Sequence, residues 1–299
     1  MNVVLCGDVG VARPIGVCLA ALRNHVDDPA NMQVTLLTVG WRPRDSTFVA
    51  RCAGDLHLDV RDCTHNSLPR VRYGRHVTNA AYLLFLIPTE LAGAKRALYL
   101  DSDLLVRKDL RPLFDLDMEG RSTAGARAGS RPFIGSPGAF PQWREMGLDP
   151  TAPTLNSGVL LMDLERWRDR EIGVRSLRFA QRFGSELRWA DQGALNAVLQ
   201  GDWLTLPPTW NATSSVFDDD KGLYAVENPA VIDAARSDPA IVHFTGAAKP
   251  WMHGVDRPFT EEWREVARSV EWSPWEDPPT LRTRVALAKR ALRRKLRRR

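Results

Sequence analysis

Two aspartates separated by one residue follow an apolar segment of the chain. The segment RALYLDSDLLVRKDL spans residues 96–110, and Asp101 and Asp103 stand where its apolar run ends. In an extended backbone, residues two positions apart point to the same side, so the two carboxylates should converge while Ser102 points away. Converging carboxylates repel each other unless a proton or a cation lies between them. Because oxygen ligands suit Mg²⁺ and Mn²⁺, the spacing indicates a divalent-metal site, although two exposed turn aspartates would give the same pattern.

A second apolar segment ends in a histidine and a glycine-containing loop, IVHFTGAAKPW at residues 241–251. The neutral imidazole of His243 would complete a metal-ligand set with the two carboxylates. Lys249, in the loop that Gly246 opens, carries the charge that a diphosphate attracts. The alternative is a hydrogen-bonded core histidine and a solvated lysine, which is the commoner situation for a lone histidine.

Two further segments combine polar side chains with the start of a regular element. In TLNSGVLLMDLERW (154–167), Asn156 and Ser157 precede Gly158, which permits a close backbone approach, and Asn156 could bond sugar hydroxyls. In WADQGALNAVL (189–199), Asp191 could cap the following helix or, together with Gln192, face a sugar. Spacing alone does not separate these alternatives, and the first segment could equally be a turn that starts a strand.

The four segments, taken in this order, resemble the retaining glycosyltransferases of family 8. That group includes bacterial lipooligosaccharide galactosyltransferases and glycogenin-like enzymes. The shared pattern is LYLDxD, LNSGV, DQxxLN and HFxGxxKPW, in register over about 250 residues. The resemblance implies a GT-A-type fold, Mn²⁺ or Mg²⁺, and a nucleotide-sugar donor, usually a UDP-sugar. It also implies transfer of a hexosyl or related sugar, with retained anomeric configuration, to a glycan, a lipid-linked or a small-molecule acceptor.

Matching positions carry the roles that the resemblance implies. The metal ligands would be Asp101, Asp103 and His243, and the positions facing the reacting sugar would be Asp191 and Gln192. Asp8, which closes the first strand, would lie beside the nucleoside. The full set of donor-binding positions is Asp8, Asp101, Ser102, Asn156, Ser157, Gly246 and Lys249.

Several positions depart from the family pattern. Val9 and Val11 stand where a second acid and a base-stacking aromatic are usual, Leu84 replaces an arginine, and Gly193 replaces the last acid of a D-Q-D motif. One alternative is therefore a catalytically weak relative that binds a nucleotide sugar or a glycan. A phosphatase of the haloacid dehalogenase type also ends a strand in D-x-D, but Leu105 stands where that group has threonine or valine.

Apolar runs alternate with amphipathic stretches, which predicts an α/β fold: a GT-A-type, Rossmann-like, mixed but mostly parallel sheet flanked by helices. The predicted strands are 3–6, 33–39, 55–60, 96–101, 158–164, 203–207 and 241–246. The predicted helices are 14–25, 78–91, 165–183, 190–200, 260–270 and 281–297. Gly, Pro and Ser are frequent in 120–155 and 207–230, which we expect to be irregular.

The composition of the 299 residues separates a folded domain from a basic C-terminal tail. An apolar fraction of 44% with 26% charged residues suits one transferase domain over 1–272, followed by a linker over 273–279. The last twenty residues, 280–299, hold ten of the 41 Lys and Arg, so the remainder has a net charge of −5. An acidic body argues against a nucleic-acid partner.

The tail itself has apolar residues at helical spacing among basic ones, which is typical of a helix that lies on an anionic membrane surface. It would bring the enzyme to a lipid-linked acceptor, although a solvated, partly disordered tail is equally compatible with this composition. Four cysteines without a C-x-x-C pair indicate reduced, buried thiols. With no signal-peptide pattern and no long apolar run, we expect a cytoplasmic protein, with attachment to the inner membrane face through 280–299 as an option.

Overall fold

The computed structural model describes residues 1–64, 79–218 and 220–276. The predicted helix over 281–297, and with it the tail predicted to bind a membrane, lies outside the described residues. The strands are β1 Asn2–Asp8, β2 Gln33–Val39, β3 His57–Asp62, β4 Arg96–Leu100, β5 Leu104–Val106, β6 Thr123–Arg127, β7 Leu155–Asp163, β8 Leu204–Leu206 and β9 Ile241–His243. The α-helices are α1 Ala12–Arg23, α2 Pro43–Ala53, α3 Ile87–Glu90, α4 Arg111–Phe114, α5 Leu164–Asp169, α6 Ile172–Phe183, α7 Ala190–Leu199, α8 Ser214–Phe217, α9 Lys221–Tyr224, α10 Pro229–Ser237 and α11 Thr260–Ser269.

Seven strands form the main sheet in the order β3-β2-β1-β4-β7-β6-β8. Strands β3, β2, β1 and β4 run parallel, β7 is antiparallel to both β4 and β6, and β8 is parallel to β6. The predicted mixed, mostly parallel α/β sheet is therefore confirmed. Since β1 and β4 are covered on both faces, they appear in the sequence as continuous apolar runs.

Side chains of β1 alternate between two apolar layers, one on each face of the sheet. Val3 and Leu5 pack with α1, α2 and α11, whereas Val4 and Cys6 pack with α3, α5, α6 and α7. Trp263 is the largest fully buried side chain of the first layer and Trp167 that of the second. All four cysteines are buried and free, as their number and spacing indicated.

Several element boundaries differ from the sequence predictions. Residues Asn79–Leu86 form a 3₁₀ helix, and α-helical structure follows only over Ile87–Glu90. The predicted helix 165–183 breaks into α5 and α6 at Glu171, whose φ of +50° is left-handed. Part of the stretch predicted to be irregular, Thr123–Arg127, is a strand, because pairing with β7 and β8 compensates for its small, weakly apolar side chains.

A two-stranded antiparallel sheet lies beside the main one and joins distant parts of the chain. Strand β5 pairs with β9, so that Leu104 lies opposite His243 and Val106 opposite Ile241. An isolated parallel bridge between Ala212 and Val242 extends this small sheet to the segment before α8. None of the helices in the described ranges combines the length and the apolar character that a membrane span requires.

Candidate functional site

Polar residues collect at one edge of the main sheet. Strands β1 and β4 are parallel and end there, while β7 is antiparallel and begins there. Asp8 closes β1, Asp101 follows β4, and Asn156 is the second residue of β7. Open α/β sheets place their ligands at this carboxyl edge.

The D-x-D segment is a turn rather than an extension of β4. Residues 101–103 leave the strand before β5 begins at Leu104, so the two carboxylates do not converge by strand alternation, and that part of the sequence reasoning was wrong. They converge across the turn instead, and the β5–β9 register brings in the imidazole of His243 beside them. One ligand atom from each of Asp101, Asp103 and His243 lies within 4.8 Å of the others.

The imidazole faces the carboxylates through one nitrogen only. Nε2 of His243 is 3.6 Å from Oδ2 of Asp101 and 3.3 Å from Oδ1 of Asp103. Nδ1 is 2.9 Å from Oδ1 of Asn211 on the other side of the ring. His243 is only 4% exposed, so these few contacts set the properties of the ring.

A chain of hydrogen bonds that starts at a backbone amide fixes the histidine tautomer. The N–H of Gly158 can only donate, so the atom of Asn156 that it meets at 3.0 Å is the amide oxygen. That oxygen also accepts from Nδ2 of Asn211 at 2.8 Å, which turns Oδ1 of Asn211 toward His243. Nδ1 of His243 must then carry a proton and donate it, so that in the neutral ring the lone pair lies on Nε2, the nitrogen that faces the two acids.

The same network orients Gln192 on the first turn of α7. Its Oε1 accepts from Nδ2 of Asn156 at 2.9 Å and from the backbone N–H of Ser157 at 3.3 Å. Its amide nitrogen is therefore the group left to donate to a bound molecule. Asp191, one residue earlier, accepts from the hydroxyl of Ser157 at 3.0 Å, so the two residues of the D-Q motif are held by one strand end.

The acids of the site differ in their affinity for protons. Burial and the neighbouring Asp103 raise the pKa of Asp101. Burial also acts to raise the pKa of Asp103, but the charges of His243 and Lys249 outweigh it and hold that pKa well below its usual range. Burial and the charge of Asp101 raise the pKa of Asp191 to about 7. Negative charge is thus crowded at this edge, which a cation would relieve.

The ammonium group of Lys249 and the hydroxyl group of Tyr99 both reach the paired acids. The ammonium of Lys249 bonds Oδ2 of Asp103 and, at 2.9 Å, the carbonyl oxygen of Phe244. Gly246 has a φ of +80° in the loop between them, a conformation that L side chains rarely adopt. The hydroxyl of Tyr99 donates to Oδ1 of Asp101 at 2.6 Å, which leaves the other oxygen of that carboxylate toward His243.

The residues present fit a hard divalent cation. Two carboxylates and a neutral imidazole are a suitable donor set for Mn²⁺ or Mg²⁺, and the second nitrogen of the histidine already has a hydrogen-bond partner, as metal-binding histidines do. A methyl group at Gly158 would lie 2.1 Å from Cε1 of His243 and 3.0 Å from Oδ2 of Asp101. The absence of a side chain at Gly158 is therefore what lets the two ligands approach.

The remaining predicted positions lie at the same edge but make local contacts. The carboxylate of Asp8 accepts from the backbone N–H of Gly10 at 2.8 Å and so caps the short 3₁₀ helix Val9–Val11. Ser102 is the half-buried middle residue of the D-x-D turn. Their roles at a donor stay predictions.

A family model described as glycosyl transferase family 8 matches residues 3–254. The chain belongs to glycosyltransferase family 8. General stress protein A of Bacillus subtilis is 27% identical over 93% of this chain and 96% of its own length. The glycosyltransferase GlyF of Streptococcus pneumoniae is 31% identical over 67% of this chain, which spans only 44% of that protein.

A solved structure of the galactosyltransferase LgtC, in complex with donor and acceptor sugar analogues, superimposes with a TM-score of 0.74. The two chains are 21% identical, and the superposition covers 92% of this chain and 98% of LgtC. This likeness shows that the family 8 chain has the GT-A fold of that enzyme.

Two of the positions that depart from the family pattern, Leu84 and Gly193, have apolar surroundings. Leu84 is fully buried in the apolar layer that contains α7. A methyl group at Gly193 would meet Cδ2 of Leu187 at 3.3 Å, so an acid there would face Leu187. Near the end of β1, Val9 is exposed, and the indole N–H of Trp41 donates to the carbonyl oxygen of Gly7 at 3.1 Å. An aromatic ring therefore lies beside β1 although Val11 does not supply one.

Sequence reasoning missed Asn211 and Tyr99, the two residues that orient the candidate ligands. Tyr99 stands two residues before Asp101, and its hydroxyl next to an acid motif was a usable signal. Asn211 stands in PPTWNATSS, which was assigned to irregular structure. Only the bridge between Ala212 and Val242 places Asn211 beside His243.

Proposed function

We propose that this family 8 glycosyltransferase transfers a hexosyl or related sugar from a nucleotide-sugar donor, a UDP-sugar in the first place, in a metal-dependent reaction. The observation that carries the proposal is the convergence of Asp101, Asp103 and a single-tautomer His243 at the carboxyl edge of the sheet. A diphosphate leaving group needs concentrated positive charge, and this is where the chain can hold it.

Within this proposal, Asp101, Asp103 and His243 hold Mn²⁺ or Mg²⁺. Such an ion acts as a Lewis acid that stabilises the charge developing on a departing diphosphate. Lys249 supplies a second positive charge from the adjacent loop, exchanging its bond with Asp103 for one with a phosphate oxygen. Gly246 allows this loop its left-handed turn, so that backbone as well as side-chain groups approach the phosphates.

The donor sugar would lie between β7 and the start of α7. Asn156, Ser157, Asp191 and Gln192 line this space, and their mutual bonds leave the amide nitrogen of Gln192 as a donor toward the sugar. In the reaction the bond from the anomeric carbon to the diphosphate oxygen breaks, and one from that carbon to an acceptor hydroxyl oxygen forms. The hydroxyl proton leaves with an oxygen of the departing diphosphate, or passes to Asp191 if that carboxylate is not itself bonded to the sugar; burial and Asp101 raise the pKa of Asp191 to about 7.

Retention of configuration follows from the family's pattern and is part of the proposal. Because Gly193 has no carboxylate, Asp191 is the one acid left in this motif, and it would be the nucleophile if retention used a covalent intermediate.

The nucleoside would lie at Asp8, with Trp41 as the adjacent aromatic ring. The acceptor would be a glycan, a lipid-linked sugar or a small molecule. We further propose a transferase domain over 1–272, a cytoplasmic location, and attachment to an anionic membrane through 280–299.

The test is a panel of nucleotide sugars incubated with the full chain and Mn²⁺ or a chelator, without any acceptor. Slow Mn²⁺-dependent donor hydrolysis identifies the nucleotide and the sugar. Asp103→Asn keeps the side-chain shape but loses the charge, and we expect a loss of about a hundredfold or more in turnover, which is several kcal/mol of transition-state stabilisation. Asp109→Asn, at the start of α4, is the matched control, because asparagine can still accept the N–H of Arg111.

Turnover by Asp103→Asn at the wild-type rate, or equal hydrolysis in chelator, would refute the metal assignment. Binding of a nucleotide sugar without any hydrolysis would instead favour the catalytically weak relative. Once an acceptor is known, the proton coupling at the anomeric carbon of the product shows whether the configuration is retained.

A further inference from the structure

Two arginines converge on one tryptophan next to the D-Q motif. The guanidinium carbons of Arg131 and Arg188 each lie 5.7 Å from the ring centroid of Trp189. A methyl group at Gly138 would be 3.4 Å from Nη1 of Arg188 and 3.6 Å from Nε of Arg131, so both guanidinium groups meet beside Gly138. We call these three side chains, Arg131, Arg188 and Trp189, the arginine pair with its tryptophan.

Neither guanidinium forms an ion pair with a carboxylate among residues 1–64, 79–218 and 220–276. Arg131 donates instead to the carbonyl oxygen of Pro137 at 3.1 Å and to Oγ of Ser130 at 3.3 Å. Arg188 donates to the carbonyl oxygen of Gly138 at 3.4 Å. A guanidinium has five N–H donors, so both groups keep donors for a bidentate bond to an anion.

The pair carries positive charge that no carboxylate of the described residues neutralises through an ion pair. Burial and the charge of Arg188 lower the pKa of Arg131, and the charge of Asp220 acts more weakly in the opposite direction. Like charges at this separation repel each other, and a bound carboxylate or phosphate would convert the repulsion into attraction. The neighbouring loop bonds hold both side chains in place before any ligand arrives, which lowers the entropy cost of binding.

The backbone of the pair adjoins both segments that would hold the donor sugar, the start of α7 and the start of β7. Trp189 is the N-cap residue of α7, two residues before Asp191. The carbonyl oxygen of Arg131 accepts from Oγ1 of Thr154 at 2.5 Å, two residues before Asn156. Of the groups proposed to hold the donor sugar, Ser157 and Gln192 are buried and Asn156 and Asp191 half-buried, whereas Arg188 is exposed. The pair therefore combines an exposed guanidinium with attachment to both segments of the proposed donor-sugar space, where the acceptor must also bind.

From this geometry we infer that the acceptor is anionic, with a carboxylate or phosphate group that Arg131 and Arg188 bind while Trp189 packs against the adjoining sugar ring. This rests on the proposed function, since it names the acceptor class of that same site. A planar fork of N–H groups matches both anions, and a tryptophan face suits the apolar side of a pyranose. The pair is a specificity device for the acceptor and takes no part in breaking the donor bond.

The experiment uses the full chain, the donor found by hydrolysis, and methyl glycosides of one sugar that carry hydroxyl, carboxylate or phosphate at C6. We expect the two acidic members to be used at least tenfold more efficiently in kcat/KM, and their ratio tells carboxylate from phosphate. Arg131→Gln and Arg188→Gln should each reduce this preference by about tenfold, the loss of a charge-assisted hydrogen bond, mainly through KM. Donor hydrolysis without acceptor should stay within twofold.

Arg182→Gln is the matched control, because Arg182 also packs on an aromatic ring, that of Phe183, but lies on α6. It should leave the preference unchanged. Titration calorimetry of the same glycosides against wild type and Arg131→Gln/Arg188→Gln gives a readout that needs no turnover.

Equal use of neutral and acidic acceptors, or a preference that survives both substitutions, would overturn the inference while leaving donor hydrolysis, and hence the proposed function, intact. Absence of any charge preference in the calorimetric titration would overturn it as well. Failure of wild type to hydrolyse any donor is a different outcome and counts against the proposed function.

Discussion

Replacing Asn211 by alanine should weaken divalent-metal binding although no candidate ligand is removed. Oδ1 of Asn211 is 2.9 Å from Nδ1 of His243 and is the group that keeps the proton on that nitrogen. Without it, the imidazole is free to adopt the other tautomer, in which a hydrogen on Nε2 would point at Asp101 and Asp103. His243 would then have no lone pair for a cation.

Two independent magnitudes agree on the size of the effect. A buried donor left without its acceptor costs about 1–3 kcal/mol. Loss of a hydrogen-bond partner behind a metal-binding histidine lowers metal affinity about 10- to 100-fold, which corresponds to roughly 1.4–2.7 kcal/mol. Because Nδ2 of Asn211 also donates to Oδ1 of Asn156, Gln192 loses part of its orientation, and turnover at saturating Mn²⁺ should fall too.

The assay is calorimetric titration of Mn²⁺ into the full chain, together with donor hydrolysis measured as a function of Mn²⁺ concentration. Asn228→Ala is the control, since Asn228 caps α10 by accepting the N–H of Ala230 at 2.9 Å. That variant should lose about 1 kcal/mol of stability with unchanged Mn²⁺ affinity. A correctly folded Asn211→Ala protein that binds Mn²⁺ within twofold of wild type would refute the tautomer argument.

Two further predictions concern the same edge of the sheet. Gly158→Ala should weaken Mn²⁺ binding by roughly tenfold or more, because its methyl would lie 2.1 Å from Cε1 of His243. Gly93→Ala, whose methyl would meet nothing within 4 Å, should bind Mn²⁺ as wild type does. Equal Mn²⁺ affinities of the Gly158→Ala and Gly93→Ala proteins would contradict the packing argument. In the metal-free protein the pKa of Asp191, about 7, lies above that of the unfolded chain, so the folded state binds the proton more tightly. The free energy of unfolding should therefore decrease by up to about 4 kcal/mol as pH rises from about 4 to about 7. Asp191→Asn should flatten this decline when unfolding midpoints are compared in chelator at pH 5 and pH 8, and parallel profiles for the two proteins would show that the carboxyl is not perturbed.

The sequence by itself determined the fold class and the family. Strands β1, β2 and β4 are covered on both faces, so each had to be a continuous apolar run, and the alternation with helices followed from the same requirement. The four motifs identified the family because they report local geometry: a strand end, a turn, a helix start and a glycine loop. Helix α2 and strand β6 were missed, since their apolar signal is weak and neighbouring elements supply their stability.

The tertiary structure alone decided how the chemistry-bearing residues meet. Lys249 and Asp103 are 146 residues apart, and the pairing of β5 with β9 brings their segments together. The carboxylates of Asp101 and Asp103 converge through a turn, which no period-two pattern describes.

The tertiary structure also decided which nitrogen of His243 carries the proton and how the arginine pair meets its tryptophan. A tautomer is set by the order of donors and acceptors along a hydrogen-bond chain, and that chain begins at the backbone N–H of Gly158 and passes through Asn211. These bonds join residues from three distant segments, so they leave no periodicity in the sequence. Their energies depend on distance and burial, which exist only once the chain has folded.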